Sequence, residues 1–357
     1  MIKEGKVEID IQATTISKIK DVDFDKLQFG REFSDHMFYI DYKNGEWQTP
    51  RIVPYQNISM TPANATLHYG QAIFEGMKAY KNSQGEIFLF RPDRNIDRFN
   101  KSAERLCMPR LPEDIFEEAL TQLVNIDSEW ISDREGYSLY IRPFMFATDE
   151  FIGVNPSSSY RMIIFTCPVS TYYRGAVKVK IERHFTRAVQ GGTGAAKCAG
   201  NYAMSLFPAK KAKEEGYDQL IWTDAIEHKW IEESGTMNVM FVSGNKIFTP
   251  PVGDTILSGI TRDSVLTLAR DWGYEVEERQ ISVDEIRALL KENKLDEVFG
   301  VGTAATIAPI SLIGFGDEDV KLSDYKQWNF SNRALKTMTK IKTGLVPDVH
   351  GWNLKIN

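Results

Sequence analysis

Short apolar runs rich in β-formers alternate with segments whose apolar residues recur at helical spacing, and this alternation confines the chain to a mixed α/β architecture. Strand-like runs at 37–41 and 87–90 precede a helix expected after Pro92, with Ile96, Phe99, Ala103 and Leu106 on one side. Pro112 is expected at the first position of a second helix, which carries Ile115, Phe116, Ala119, Leu120, Leu123 and Val124 on one face. Further strands are expected at 138–142, 161–167, 219–223, 237–242 and 246–250. Later helices are expected to end before Gly216, to run from Thr261 to a stop at Gly273, to start at a capping box of Ser282 and Glu285, and to span about 331–342.

A length of 357 residues suggests two domains, and the segment PVSTYYRGAVK at 168–178, with little periodicity, reads as their connection. The expected division is a domain over 1–167, a connecting loop over 168–178 and a domain over 179–357. No sequence repeat or low-complexity tract points to a solenoid. A formal charge of −6 and the lack of a basic stripe argue against nucleic acid as a partner. No apolar run is long enough to span a membrane, and the opening residues do not resemble a secretory signal, so no membrane partner and a cytoplasmic location are expected. Three scattered cysteines fit a reducing compartment, and five scattered histidines give no metal-ligand spacing, so no metal is expected. An enzyme acting on a small molecule, with or without an organic cofactor, remains.

Six features could carry its chemistry. Lys197 lies in GGTGAAKCAGNY, where glycines and alanines clear space around one amine. An amine desolvated in such a setting becomes a nucleophile able to condense with a carbonyl, although an exposed loop lysine before a helix would read the same way. Glu233, before a Ser-Gly turn, could keep a cofactor ring nitrogen protonated or could simply be solvated. The LSGITRD segment places Gly259, Ile260 and Thr261 at a helix start suited to phosphate, and ordinary capping is the alternative. Thr303, Ala304 and Ala305 follow a strand and offer amides to an anion. Arg98 could grip a phosphate or make a surface salt bridge, and Arg142, inside an apolar strand beside Tyr140, needs an anion if buried. A Schiff-base lysine, a pyridinium partner, amide clusters and an arginine are together the parts that pyridoxal 5′-phosphate requires.

The blocks FGREFSDHMF, LHYGQAIFEGMKAYK, FRPDRNIDRFNKSAERLCMP, YIRP, GGTGAAKCAGNYA, DQLIWTD, ESGTMN, LSGITRDS and VGTAATIAPI, in this order over nearly the whole chain, resemble the branched-chain amino acid aminotransferases of fold type IV, in their longer, eukaryote-like form. The resemblance implies an α/β fold with a smaller N-terminal domain, a larger C-terminal domain carrying the lysine, and the cofactor at their interface. It implies Lys197 as the catalytic, cofactor-binding lysine, Glu233 as the partner of the pyridine nitrogen, and Tyr202 as the partner of the phenolic oxygen. Arg98, Ile260, Thr261 and Thr303 would form the phosphate cup. Phe29, Tyr69, Phe74, Tyr140, Arg142, Thr236, Ala304 and Ala305 would line the substrate pocket, with Arg142 receiving the distal carboxylate of glutamate and Tyr69 reaching a neighbouring subunit of a homodimer. The implied reaction moves the amino group of L-leucine, L-isoleucine or L-valine to 2-oxoglutarate, ping-pong through pyridoxamine phosphate. A D-amino acid aminotransferase or aminodeoxychorismate lyase would share the cofactor residues and differ in the pocket walls. Ala305 and Ala308 stand where mammalian relatives carry a Cys-x-x-Cys pair, so the thiol switch of that pair is expected to be missing.

Overall fold

The computed structural model describes residues 7–171 and 175–356. Its contacts divide the chain into two compact units, Met1–Tyr172 with Lys340–Asn357, and Tyr173–Thr339. The first unit is built on ten strands among the described residues, in the order Asp10–Ile11, Arg51–Pro54, His36–Lys43, Tyr160–Val169, Ser138–Ala147, Met77–Lys81, Ile87–Phe90 and Asn353–Ile356 along its main path. Glu46–Trp47 pairs beside His36–Lys43, and Ala72–Phe74 beside Ser138–Ala147. Its pairings are antiparallel except at the Asp10–Ile11 edge.

The two early helices form where the apolar spacing places them. Pro92 opens Pro92–Arg105 at a first position that has no use for a backbone N–H. Ile96, Phe99 and Ala103 are buried on that helix, while Phe116, Leu120 and Leu123 are buried on Glu113–Ile126, with the Phe99 and Phe116 rings 6.5 Å apart. Pro112 is the N-cap of the second helix rather than its first residue, because its ψ of 138° is still extended. Strand Ser138–Ala147 continues past the expected 142, since Phe144, Met145 and Phe146 pair on with Ile163, Met162 and Arg161.

Two corrections concern the domain plan. Residues 340–357 belong to the first unit and not to a C-terminal domain over 179–357, because Asn353–Ile356 pairs antiparallel with Ile87–Phe90 and completes that sheet. The first unit is therefore the longer of the two. The connection is also shorter than 168–178. Pro168 and Val169 end one strand and Val177 begins the next, while 172–174 lie outside the described residues.

The second unit contains nine strands among the described residues. Six of them close on themselves: Ile231–Ser234, Gln219–Thr223, Val177–Ile181, Thr306–Gly314, Glu297–Gly302 and Met237–Ser243, the last pairing back to the first. Closure leaves no exposed edge in this ring. Val179, Ile181, Ile221, Val239, Phe241 and Ile310 belong to its buried apolar cluster. Fully burying each such side chain is worth roughly 1.5–3 kcal/mol, which gives the ring a rigid wall on which polar side chains can be fixed. Helices Ala199–Glu214, Ile260–Asp271 and Val283–Lys291 decorate it, the last capped as expected by Ser282, whose Oγ accepts from the Glu285 N–H at 3.0 Å.

Candidate active site

In the second unit the glycine-rich segment before Lys197 is pressed against its surroundings. A Cβ on Gly194 would lie 2.6 Å from the Ala188 Cβ and 2.7 Å from the Asp254 carbonyl oxygen, so only glycine fits. Asn201, in the first turn of Ala199–Glu214, stitches this segment to the helix. Its Nδ2 donates to the carbonyls of Thr193 and Ala196, both at 2.8 Å, and its Oδ1 accepts from the Thr193 hydroxyl at 2.7 Å. Lys197 is thereby held half-buried just ahead of the helix, where its Nζ donates to the Tyr202 hydroxyl at 2.9 Å. The residues read as cofactor lysine and phenolic-oxygen partner are adjacent.

Glu233 is not a solvated turn residue. It lies inside strand Ile231–Ser234 at the seam where the ring closes, opposite Asn238, and is 3% exposed. Its Oε2 forms a 2.8 Å ion pair with the Nε of Arg187. Its Oε1 accepts from the Leu257 N–H at 2.9 Å and from the Asn238 Nδ2 at 3.3 Å. Arg187 is itself buried and donates from Nη2 to the carbonyls of Gly194 and Thr255. Buried charge on this scale persists only when paired and hydrogen-bonded, so Glu233 is set up as a fixed negative charge. Thr236 sits in the exposed turn just beyond, and one cavity of this unit is lined by Arg187, Ala196, Tyr202, Glu233, Thr236 and Leu257 among others.

The two expected anion seats are present as backbone features. Gly259 is the N-cap of Ile260–Asp271 without any side-chain cap bond, and a Cβ there would meet the Asn238 Oδ1 at 2.0 Å. Ile260 is half-buried and Thr261 is 5% exposed. First-turn amides of a helix point outward along its dipole and suit a phosphate. Thr303, Ala304 and Ala305 form the tight turn between Glu297–Gly302 and Thr306–Gly314, and all three are half-buried. The cavity lining does not include these two seats.

The first unit brings together a second group. The Phe29 and Tyr140 rings meet edge to face at 4.9 Å, and the Arg142 guanidinium lies 4.8 Å from the Phe74 ring centre and 5.2 Å from that of Tyr140. The Arg142 Nη2 donates to the Tyr140 hydroxyl at 3.1 Å. Tyr69 stands apart, 44% exposed at the end of helix Ala65–Tyr69. Arg98 is buried rather than on the surface and pairs with Glu75, Nε to Oε1 at 2.7 Å.

An amine with a phenol beside it, a buried carboxylate, and amides at a helix start and in a tight turn match what a phosphorylated pyridine aldehyde presents: a carbonyl, a phenolic oxygen, a basic ring nitrogen and a dianion. Sequence reading missed Arg187, Asn238 and Glu75. A single arginine before a glycine-rich loop has no periodic context, but Asn238 lies in the same ESGTMN block as Glu233, and its register opposite that residue was the available signal. It also missed Glu232, which is 6% exposed, with an Oε2 that lacks a hydrogen-bond partner among the described residues. Burial pushes the Glu232 carboxyl up to about 6, against the opposing pull of the Thr255 hydroxyl and the Arg187 charge.

The family model for amino-transferase class IV matches residues 72–313. The branched-chain-amino-acid aminotransferase 2 of Bacillus subtilis is 44% identical over 355 residues, which is 98% of this chain and 98% of that protein. Among solved structures, the branched-chain amino acid aminotransferase of Escherichia coli superposes with a TM-score of 0.73 at 27% identity, covering 89% of this chain and 99% of that one. The branched-chain aminotransferase of the thermophilic archaeon Thermoproteus uzoniensis, solved with norvaline, gives 0.74 at 25% identity, again covering 89% and 99%.

A carboxyl raised from its ordinary 4.5 to about 6 favours the folded state when protonated. That contribution is whole below about pH 4.5 and is lost as pH rises through about 6. Glu232→Gln, which never ionises, should therefore be more stable than the parent at pH 8 by about 1–2 kcal/mol, and this advantage should shrink towards about pH 5. Urea unfolding at both pH values checks this, and an advantage of the same size at each would contradict it.

Proposed function

Because the chain belongs to the class IV aminotransferases, and within them to the branched-chain amino acid aminotransferases, we propose that Lys197 is its catalytic lysine and that the residues gathered around Lys197, Glu233 and Arg142 divide the work of transamination. The enzyme is a pyridoxal-phosphate-dependent transaminase that moves the amino group of a branched-chain L-amino acid to 2-oxoglutarate, reversibly. The single observation that carries the residue assignment is that one unit holds both an amine, Lys197, hydrogen-bonded to Tyr202, and a buried carboxylate, Glu233, ion-paired with Arg187.

Lys197, Tyr202, Glu233, Ile260, Thr261 and Thr303, with Arg98, would hold the cofactor. When bound, pyridoxal phosphate supplies an electron sink for the pair left behind when the substrate Cα loses its proton. Lys197 carries that proton, because a primary amine released beside the Cα is both base and acid. The Tyr202 hydroxyl, which accepts from the Lys197 Nζ, orients the amine. Glu233, ion-paired with Arg187 and bonded by the Leu257 amide, would favour a protonated ring nitrogen through charge pairing at low dielectric. Ile260, Thr261 and Thr303 offer donors to the phosphate.

One pocket has to accept an aliphatic side chain in one half-reaction and a carboxylate in the other. The Phe29, Phe74 and Tyr140 rings suit the first need. Arg142, lying against two of those rings, meets the second, since a guanidinium gripped by π-faces can turn towards a carboxylate without first leaving bulk water. The aromatic walls support the branched-chain reading over the D-amino acid aminotransferase or lyase.

We further infer a homodimer and a cytoplasmic location. In support of the first, Leu67 and Tyr69 on one short helix and Met204, Leu206 and Phe207 on another are all at least 44% exposed, an apolar display that a second copy would cover. The second is in keeping with Cys107, Cys167 and Cys198 all being free thiols.

Lys197→Ala should abolish both the visible absorbance of the purified protein and turnover of L-leucine with 2-oxoglutarate, and Arg142→Met should lower kcat/KM for 2-oxoglutarate while sparing that for L-leucine. Full activity in Lys197→Ala, or an equal loss for both substrates in Arg142→Met, would contradict the assignment. Sedimentation equilibrium should give twice the chain mass, and a monomer that remains fully active would remove the dimer from the account.

A further inference from the structure

Phe74, Glu75 and Gly76 are three consecutive residues, and each touches a different part of the first unit's cluster. Phe74 packs its ring against the Arg142 guanidinium. Gly76 makes room for the Tyr140 hydroxyl, since a Cβ there would lie 2.1 Å from that oxygen. Between them, the Glu75 N–H donates to the Pro143 carbonyl at 2.7 Å, which ties the segment to the strand that carries Tyr140 and Arg142.

The Glu75 side chain is fully buried, and its two oxygens accept from the Nε/Nη2 edge of one guanidinium. Oε1 accepts from the Arg98 Nε at 2.7 Å and Oε2 from the Arg98 Nη2 at 2.9 Å. Oε2 also accepts from the Asn95 Nδ2 at 2.7 Å and from the Gly76 N–H at 3.1 Å. Asn95 and Arg98 are three residues apart on helix Pro92–Arg105, so one carboxylate fastens a turn of that helix to the 74–76 segment. A bidentate pair of this kind fixes the plane of the guanidinium as well as its position.

We propose that Glu75 is a positioning residue for the cofactor phosphate: by clamping Arg98 in one orientation before anything binds, it makes the guanidinium a preset phosphate donor. This rests on the reading that Arg98 binds the phosphate. An arginine held by a charged partner gives up part of its net attraction for a dianion and gains direction. The entropy of ordering its long side chain is spent during folding, leaving less to lose on binding. The phosphate is then recognised by the placement of donors more than by an excess of positive charge.

The test compares pyridoxal 5′-phosphate with pyridoxal, which lacks the phosphate. The cofactor is removed from the purified enzyme, and apparent Kd values for both aldehydes are measured by absorbance for the parent, Glu75→Gln, Arg98→Met and the double variant. Glu75→Gln should reduce the preference for the phosphorylated form about tenfold while leaving the pyridoxal Kd within about twofold, and should have no further effect on the preference in the Arg98→Met background. An unchanged preference in Glu75→Gln, or an equal weakening of both aldehydes, would overturn the proposal. An unchanged preference in Arg98→Met would instead overturn the phosphate reading of Arg98, and the proposal with it. If Glu75→Gln fails to fold, Glu75→Asp keeps the charge and withdraws it by one methylene. Its preference should fall by a smaller factor, and no fall would overturn the proposal.

Discussion

The negative charge of Glu233, enclosed at the closing seam of a ring of strands, is the constraint on which the second unit depends. An ionised carboxylate away from water survives only if its partners are themselves held in place. Arg187, the Leu257 amide and Asn238 provide that support, and each is fixed by something further. Arg187 is held by the carbonyls of Gly194 and Thr255, and Asn238 by the Leu257 carbonyl and by its register with Glu233. The same Gly194 belongs to the segment that delivers Lys197. The carboxylate and the amine are thus coupled through one small set of backbone contacts, and moving either disturbs the other.

The first unit follows the same physical rule with different residues. Its buried guanidinium, Arg98, is neutralised by an enclosed carboxylate, Glu75, and its tightest approach, between residue 76 and the Tyr140 hydroxyl, requires a glycine. In both units a bare backbone position lets a polar group come within van der Waals reach of the chain, and a neighbouring ion pair keeps it there. This is how a protein presents directional donors to a charged small molecule without leaving them to float in solvent.

Much of this was legible in the sequence. Helical spacing placed Ile96, Phe99 and Phe116 in the core, and the ordered motifs pointed to the family. The small residues before Lys197 read as clearing space around the amine, whereas at Gly194 they let the loop pack against Ala188 and Asp254. Long-range pairing was not legible. Val177–Ile181 lies parallel to both Gln219–Thr223 and Thr306–Gly314, and nothing in its own composition selects those neighbours. The return of Asn353–Ile356 to the first sheet escaped notice for the same reason, since a four-residue edge strand carries almost no periodic signal. Arg98 read equally well as a surface ion pair because helical spacing shows a residue's face but not the carboxylate 23 positions earlier that meets it. Glu233 looked like a turn residue because the strand that contains it has only four residues.

Which side chain carries the vitamin-derived aldehyde in the resting enzyme decides every residue role above. Borohydride reduction of the holoenzyme, followed by proteolysis and mass mapping, identifies it directly. A phosphopyridoxyl group on the peptide containing Lys197, in near-stoichiometric yield, is the expected result. The same label on any other lysine, or no label on a yellow, active preparation, would contradict it.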